Sequence, residues 1–349
     1  MLDWKKRVDN VRGSLGGPVG ETRSYLGGLW RVVGVLLALY LLAALLVGWF
    51  WSQEPDFFPV QQNAREAAQD SGQREVSGYT TVATLQKVAG TLLDKRGGYL
   101  SNDIAPPGVW LDNMPSWEYG VLVQVRDMSR ALRKDFSRSQ SQSTEDPDLA
   151  KAEPKFNFDN KSWMLPATED EYAEGIRFLD RYRKRLSDPT QSSAQFYSRA
   201  DNLNNWLGDT ATRLGSLSQR LSASVGRIRL NTDTASSGQP PLLSSEIVET
   251  PWLQIDNVFY EARGQAWALS HLLRAIEVDL ADVLAKKNAT VSVQQIIREL
   301  EAAQEPLWSP MVLNGSGYGL LANHSLVMAN YISRANAAII ELRTLLSQG

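Results

Sequence analysis

The segment Val32–Gln53 reads VVGVLLALYLLAALLVGWFWSQ and contains no charged side chain. A helix of about 20 residues crosses the hydrocarbon core of a bilayer, because each residue advances the helix by about 1.5 Å. Charged residues interrupt the other long apolar patterns of the chain within a turn or two. We therefore predict a transmembrane anchor over residues 29–53, a cytoplasmic tail before it (1–28) and a periplasmic helical domain after it (54–349).

The charges on either side of the segment predict its orientation. Six basic and three acidic residues precede it, counted through Arg31, whereas Glu54 and Asp56 follow it directly. Short cytoplasmic flanks hold the excess of Lys and Arg, so we expect the N-terminus inside and the bulk of the chain outside. A cleaved signal peptide would have a shorter apolar stretch and small residues at its exit, but this segment ends in bulky Trp and Phe residues. The expected location is the bacterial inner membrane, crossed once.

Composition excludes several classes of site. The chain of 349 residues has no Cys, two His and a net charge of −3. Without Cys there are no disulfides, no thiolate metal sites and no Cys nucleophile, and two histidines are too few for a His-rich metal site. No basic domain is present for wrapping nucleic acid. We expect no metal, no cofactor and no nucleic-acid partner.

Two long segments repeat apolar residues at alternating spacings of four and three. They run from about Pro189 to Leu221 and from Thr250 to Val283. Such a repeat predicts a helix with one seam against a partner, each about 35 residues and about 50 Å long. The linker Asn231–Pro241 is long enough for the two to run antiparallel. The predicted fold is all-α: one N-terminal transmembrane helix, then an elongated helical bundle with long antiparallel heptad-patterned helices.

Small residues spaced by four occur within the span, at Gly34 and Ala38 and again at Ala44 and Gly48. Such pairs let two membrane helices approach closely, which makes a homo-oligomer possible. Ordinary small residues in a lipid-facing helix are the alternative explanation.

The loop region 99–119 mixes prolines with aromatic and acidic residues and is the first candidate for a binding surface. Its candidate residues are Trp110, Asp112, Asn113, Trp117, Glu118 and Tyr119. Such side chains recognise sugars or peptides, and a carboxyl pair can act as acid and base at a glycosidic bond. Large aromatic side chains that plug the open end of a helical bundle explain the same residues.

A second region to consider with this loop is residues 306–319. Its Gly-rich motif, Asn314–Gly319, lacks the Lys-Ser/Thr of a phosphate loop and predicts a turn that leads into a helix.

A basic stripe follows on one predicted helix, at Arg126, Arg130, Arg133 and Lys134. It predicts either an anion-binding surface for lipid headgroups or a solvated face paired with neighbouring acids. Of the two histidines, His324 lies at a seam position and predicts a hydrogen-bonded core residue, whereas His271 lies off its seam and predicts a solvated residue. Around Phe156–Pro166 we expect Phe158, Trp163 and Met164 to be tucked into the fold.

Residues 97–149, GGYLSNDIAPPGVWLDNMPSWEYGVLVQVRDMSRALRKDFSRSQSQSTEDPDL, resemble the hallmark stretch of a bacterial family catalogued as domain of unknown function 2333. The resemblance extends over nearly the whole chain, including the N-terminal span. It implies a proteobacterial inner-membrane protein and carries over no activity, ligand or catalytic residue.

These features predict a membrane-anchored periplasmic helical scaffold or interaction protein. Its expected partners are the lipid bilayer and an envelope protein or cell-wall polymer. The alternative is a membrane-tethered envelope enzyme of the cell-wall hydrolase type, with its site near the 99–119 loop. A third hypothesis is a ligand-sensing bundle that signals through a partner's membrane helix. A deep cleft with converging carboxylates would favour the enzyme, and a closed bundle with an exposed apolar patch would favour interaction.

Overall fold

The computed structural model describes residues 17–139, 144–190, 193–230, 245–307, 309, 311–316 and 320–348. Its helices are α1 (Gly17–Trp51), α2 (Val60–Ser71), α3 (Tyr79–Asp94), α4 (Asn113–Ala131), α5 (Leu149–Phe156), α6 (Thr168–Ser187), α7 (Ala200–Ser222), α8 (Ile255–Asp279), α9 (Ala281–Lys286), α10 (Thr290–Ala302) and α11 (His324–Ser347). Two four-residue strands, β1 (Arg227–Leu230) and β2 (Ser245–Val248), pair antiparallel with Arg227 opposite Val248. The all-α prediction is confirmed, and this strand pair is a small addition to it.

Some predictions fall on residues outside these ranges. They concern residues 1–16 of the tail, the linker Asn231–Pro241, and Gly317–Gly319 of the Gly-rich motif.

The chain divides into two compact units, residues 1–51 and 52–349. In its described part the first unit is α1, in which residues Trp30–Trp51 are long and apolar enough to cross a membrane. Most of its large apolar side chains from Val32 to Phe50 are exposed, as contact with lipid requires. Residues 17–28, predicted to lie before the span, are already helical in the described part of the chain, and adding turns to an existing helix avoids the cost of nucleating a new one.

Helix α8 is the centre of the second unit. It contacts α2, α3, α4, α7, α9, α10 and α11, and 17 of its 25 residues are buried. A helix surrounded on all sides must be apolar or small on all sides. The run Ala262, Gly264, Ala266, Ala268 and Ser270 provides small side chains on several faces at once. The heptad pattern thus correctly predicted that this helix is buried on one side, but the structure buries it on several sides.

The two heptad-patterned helices are antiparallel, as predicted, but shorter and with different main partners. They contain 23 and 25 residues, about 35 and 38 Å at 1.5 Å per residue. Phe196, assigned to the first seam, lies in an extended segment before α7 and stacks on Phe136 at 5.0 Å between ring centroids. Helix α7 packs mainly on α11, and α8 packs mainly on α4. A seam therefore predicts a helix that is buried without predicting which helix covers it.

Two glycines let α4 and α8 meet backbone to backbone. A Cβ atom on Gly120 would lie 2.1 Å from the carbonyl oxygen of Glu261, and one on Gly264 would lie 2.0 Å from that of Trp117. Real Cβ atoms do not approach backbone that closely, so these positions accept only glycine without movement of the helices. The rings of Trp117 and Trp267 then pack beside the crossing, with centroids 5.3 Å apart.

We predict that Gly120→Ala or Gly264→Ala destabilises the folded unit by about 1–3 kcal/mol or more, because the added methyl group forces the helices apart. Gly90→Ala in α3 is the matched control, since the nearest atom to its new Cβ is 3.6 Å away. That change should be neutral or stabilising by about 0.5–1 kcal/mol, through higher helix propensity. Chemical denaturation followed by circular dichroism measures all three. Equal stability of the Gly120→Ala and Gly90→Ala variants would contradict the close contact.

Candidate functional site

The six residues predicted from the 99–119 region do not share one surface. Trp110, Asp112 and Tyr119 are exposed and Asn113 is half-buried, whereas Trp117 and Glu118 are fully buried. Helix α4 begins at Asn113 and turns residues 117 and 118 toward α8 and the preceding loop. A binding surface here can therefore include Trp110, Asp112, Asn113 and Tyr119. Trp117 and Glu118 belong to the core.

Glu118 is held in a fully occupied polar site. Its carboxylate pairs with the Lys95 Nζ at 2.5 Å and accepts the backbone N–H groups of Leu100 at 2.8 Å and Ser101 at 2.9 Å. The Ser101 hydroxyl donates a further bond of 2.5 Å. Burial raises the pKa of Glu118, and Lys95 and these donors oppose the rise. This carboxylate closes the loop between α3 and α4 and has no face left for a substrate.

Exposed apolar side chains lie instead on two loops joined by Asn102. The Asn102 amide donates to the Ser162 carbonyl at 2.8 Å and to Glu169 Oε2 at 2.7 Å. We call the large apolar residues of these two loops the loop surface; they are Ile104, Val109, Trp110, Trp163, Met164 and Leu165. Each is at least half exposed. The prediction that Trp163 and Met164 are tucked in is wrong, because Thr168 and Asn102 hold the Ser162 carbonyl and leave the next three side chains outside.

The basic stripe is largely paired. Arg126 donates to the carbonyls of Phe156 at 2.7 Å and Phe158 at 2.9 Å. Arg130 and Arg133 both pair with Glu153, while Lys134 is exposed. This geometry agrees with the solvated and paired alternative, and anion binding by the stripe stays a prediction.

A strap of residues 52–59 follows the candidate span and is bound to α8 by an ion pair. The guanidinium of Arg263 binds the Glu54 carboxylate through Nε and Nη2, with three N···O distances between 2.7 and 2.9 Å. Its remaining donors reach the carbonyls of Ala303, Gln304 and Glu305. The Arg263 side chain is only 8% exposed, so the pair is shielded from water.

Two helical turns further along α8, His271 binds the same strap. Its Nδ1 lies 2.7 Å from the Trp267 carbonyl and therefore carries the proton, so that Nε2 accepts the N–H of Phe58 at 3.2 Å. The Phe58 ring stacks on the imidazole at 4.0 Å between centroids. His271 is fully buried, so the prediction of a solvated histidine is wrong. Seven other helices pack around α8, and every residue from 261 to 273 is buried.

Cavities flank the strap on both sides. One of about 710 Å³ is lined by Phe57, Phe58, Arg65, Arg274, Glu277 and Glu301 among others, and one of about 410 Å³ by Ser52, Gln53 and Tyr260 among others. In the larger cavity Glu301 is paired with Arg274, and Glu277 accepts from Gln294 at 2.7 Å. Among the described residues no three His, Asp or Glu side chains are placed to hold a metal ion.

His324 lines a further cavity of about 480 Å³ with Phe259, Met328 and Tyr331. Its Nδ1 accepts the N–H of Leu313 at 2.9 Å. The ring is thus hydrogen-bonded, as its seam position predicted, but it is half-buried at a cavity and does not lie in the core.

We predict that His271 makes the stability of the folded unit depend on pH. Burial lowers the pKa of His271 to about 4, whereas an unfolded histidine titrates near pH 6.5. Between these two pH values the unfolded state therefore binds more protons than the folded state. The free energy of unfolding has its full value above about pH 6.5 and decreases as the pH falls toward 4. Lowering the pH from 7.5 to 5 should cost about 2 kcal/mol through this group.

Denaturant titrations of the wild type and of His271→Gln at both pH values test this. The wild type should lose more stability on acidification than the variant, because glutamine does not titrate. An equal loss in the two proteins would show that His271 is not the responsible group.

Comparison with known proteins gives a family and no closer relative. No curated protein and no solved structure matches the chain. The model of one family, described as uncharacterised protein conserved in bacteria, matches residues 24–349 and so covers the span and the entire helical unit. The chain therefore belongs to this bacterial family, DUF2333.

Proposed function

We propose that this protein is a single-pass inner-membrane protein whose helical unit lies in the periplasm and acts as a scaffold or interaction module. The apolar span and the basic residues before it support the anchoring and the orientation. The observation that carries the interaction role is the loop surface, where six large apolar side chains are exposed together on two hydrogen-bonded loops. Several large apolar side chains left exposed on neighbouring loops are typical of binding sites.

A membrane-tethered cell-wall hydrolase is the second candidate, and one observation favours it. Burial, reinforced by the neighbouring Asp112 carboxylate, raises the pKa of Asp256. Two neighbouring carboxyl groups, one of them with a raised pKa, are a feature of the acid–base pair in glycosidases. One observation speaks against this candidate. Glu118, which lies between Trp117 and Tyr119, is buried and already binds Lys95 and Ser101, so it is not available to a substrate. We therefore rank interaction above hydrolysis.

The orientation has a direct test, because the natural chain contains no cysteine. We expect a cysteine introduced by Ser347→Cys, at an exposed position of α11, to be labelled in intact cells by a membrane-impermeant maleimide. Ser14→Cys should be labelled only after lysis. Labelling of the Ser14→Cys protein alone in intact cells would reverse the proposed orientation.

The interaction role is tested by a photo-activatable amino acid placed at Trp110 in cells. We expect adducts with one envelope component, identified by mass spectrometry as protein, glycan or lipid. Val291, exposed at the first turn of α10, is the matched control position and should give none of these specific adducts. Release of soluble fragments from purified murein by the wild type, abolished by Asp112→Asn, would replace the proposal with the hydrolase.

A further inference from the structure

The strap defines which end of the helical unit receives the chain. Glu54 is bound at Arg263 and Phe58 at His271, so the strap runs parallel to α8. Ser52 and Gln53 continue this path and line a cavity with Tyr260. The chain therefore enters the unit beside the first turns of α8, at the end where that helix begins.

Helices α4 and α7 each have one terminus at this same end. Gly120 and Gln124 of α4 meet Glu261 and Gln265 of α8 in that order, so these two helices are parallel. In α7, Asn205 bonds Asp135 and Arg213 bonds Asp127, so α7 runs opposite to α4. The loop before α4 and the segment after α7 consequently lie at the end where the chain enters.

Helix α11 also begins at this end. Asn204 of α7 bonds Arg343, and Ser218 bonds the Ala329 carbonyl, so α11 runs opposite to α7. The segment that leads into α11 therefore lies beside the segment that follows α7.

The same holds for α6. Helix α3 starts at the far end of α8, where Asp279 accepts the N–H of Thr81 at 2.6 Å. Helix α6 is antiparallel to α3, since Arg183 lies over the Tyr79 ring and Gln86 bonds the Ile176 carbonyl. The loop before α6 thus lies at the starting end of α8, which we call the entry end.

Exposed apolar side chains are concentrated at the entry end. In their described parts its loops contain twelve exposed large hydrophobic residues, among them Trp110, Trp163, Leu165, Trp252, Leu253 and Leu320. In the described parts of the loops at the opposite end (72–78, 137–148, 188–199 and 280–289) there is no such residue. Among the described helices near that end, α10 has the exposed Val291 in its first turn and α11 has the exposed Ile340 in its second half.

We propose that the entry end inserts its apolar loop tips into the interface of the same bilayer that holds the span, among the lipid headgroups and upper acyl chains. This inference rests on the proposed membrane anchoring and names the first partner of the loop surface. Only Ser52 and Gln53 separate Trp51, the end of the candidate span, from the Glu54 held by Arg263. Three extended residues reach about 10 Å, so Glu54 lies within about that distance of the last residue of the candidate span, and the entry end is the part of the unit attached nearest to it.

The chemistry of the loop tips suits this partner. Three of the exposed residues are tryptophans, whose apolar ring and N–H group favour the boundary between hydrocarbon and water. Several separate tips projecting at one end match a planar, deformable surface better than a single shaped protein partner. The exposed carboxylate of Asp112 lies nearby, so the attraction is apolar and does not depend on anionic headgroups.

The test uses the full chain reconstituted in phosphatidylcholine vesicles, with single cysteines at Leu253→Cys, Leu320→Cys or Val291→Cys carrying an environment-sensitive fluorophore. Leu253 and Val291 are 81% and 75% exposed, so the pair is matched in exposure and differs in the end of the unit. Lipids that carry a quencher near the headgroup should reduce emission at Leu253→Cys and Leu320→Cys by about twofold and leave Val291→Cys unchanged. The effect should persist in high salt.

Each other outcome is decisive. If the protein floats with the vesicles and quenching is equally weak at all three positions, the proposed insertion of the loop tips is wrong, and the anchoring by the span is unaffected. Specific protein adducts at Trp110 in cells, together with weak lipid quenching at Leu253→Cys, would assign the surface to a protein partner instead. Failure of the chain to float with vesicles would remove the anchoring and with it the inference. Circular dichroism of each labelled variant shows that the helices are intact.

Discussion

The backbone contact between α4 and α8 at Gly120 and Gly264 is the constraint on which the helical unit depends. It sets the distance between the two helices that share the largest interface, and Trp117 and Trp267 then pack beside it. Because α4 is fixed on α8, the loop before α4 is fixed too, with Glu118 gathering Lys95, Leu100 and Ser101 around its carboxylate. The exposed tips of that loop are held on a rigid base, as a recognition surface requires.

The second dependence runs along α8 itself. The same helix that packs against seven others also binds the strap through Arg263 and His271. Both contacts are shielded, and a buried arginine left without its carboxylate costs several kcal/mol. The segment next to the candidate membrane span is therefore attached to the central helix of the fold by shielded polar contacts at two points.

Much of this organisation could be predicted from the sequence, and particular residues show where the prediction stopped. The charge-free run at Val32–Gln53 and the heptad positions predict the span and the buried helices, because both signals are local. Helical spacing from Val121 would also have placed Trp117 and Glu118 on the buried face, had it been applied to the candidate surface. The binding of the strap to α8 could not be predicted, because Arg263 and Glu54 are 209 residues apart in the sequence. Nothing in the local sequence distinguishes a buried histidine at position 271 from a solvated one. The partner of each helix could not be predicted either, because an apolar seam shows that a helix is buried but not which helix covers it.

The parallel path of the strap along α8 has a mechanical consequence. A pull on the strap from its Ser52 end, directed back along the strap, acts along the axis of α8 because the two are parallel. The Glu54–Arg263 ion pair and the Phe58–His271 contacts are then loaded together in shear and do not open one after the other. A junction loaded in this way resists force far better than the same contacts peeled in sequence. Tension applied to the strap from that end would therefore pass through both contacts into α8, the central helix of the unit.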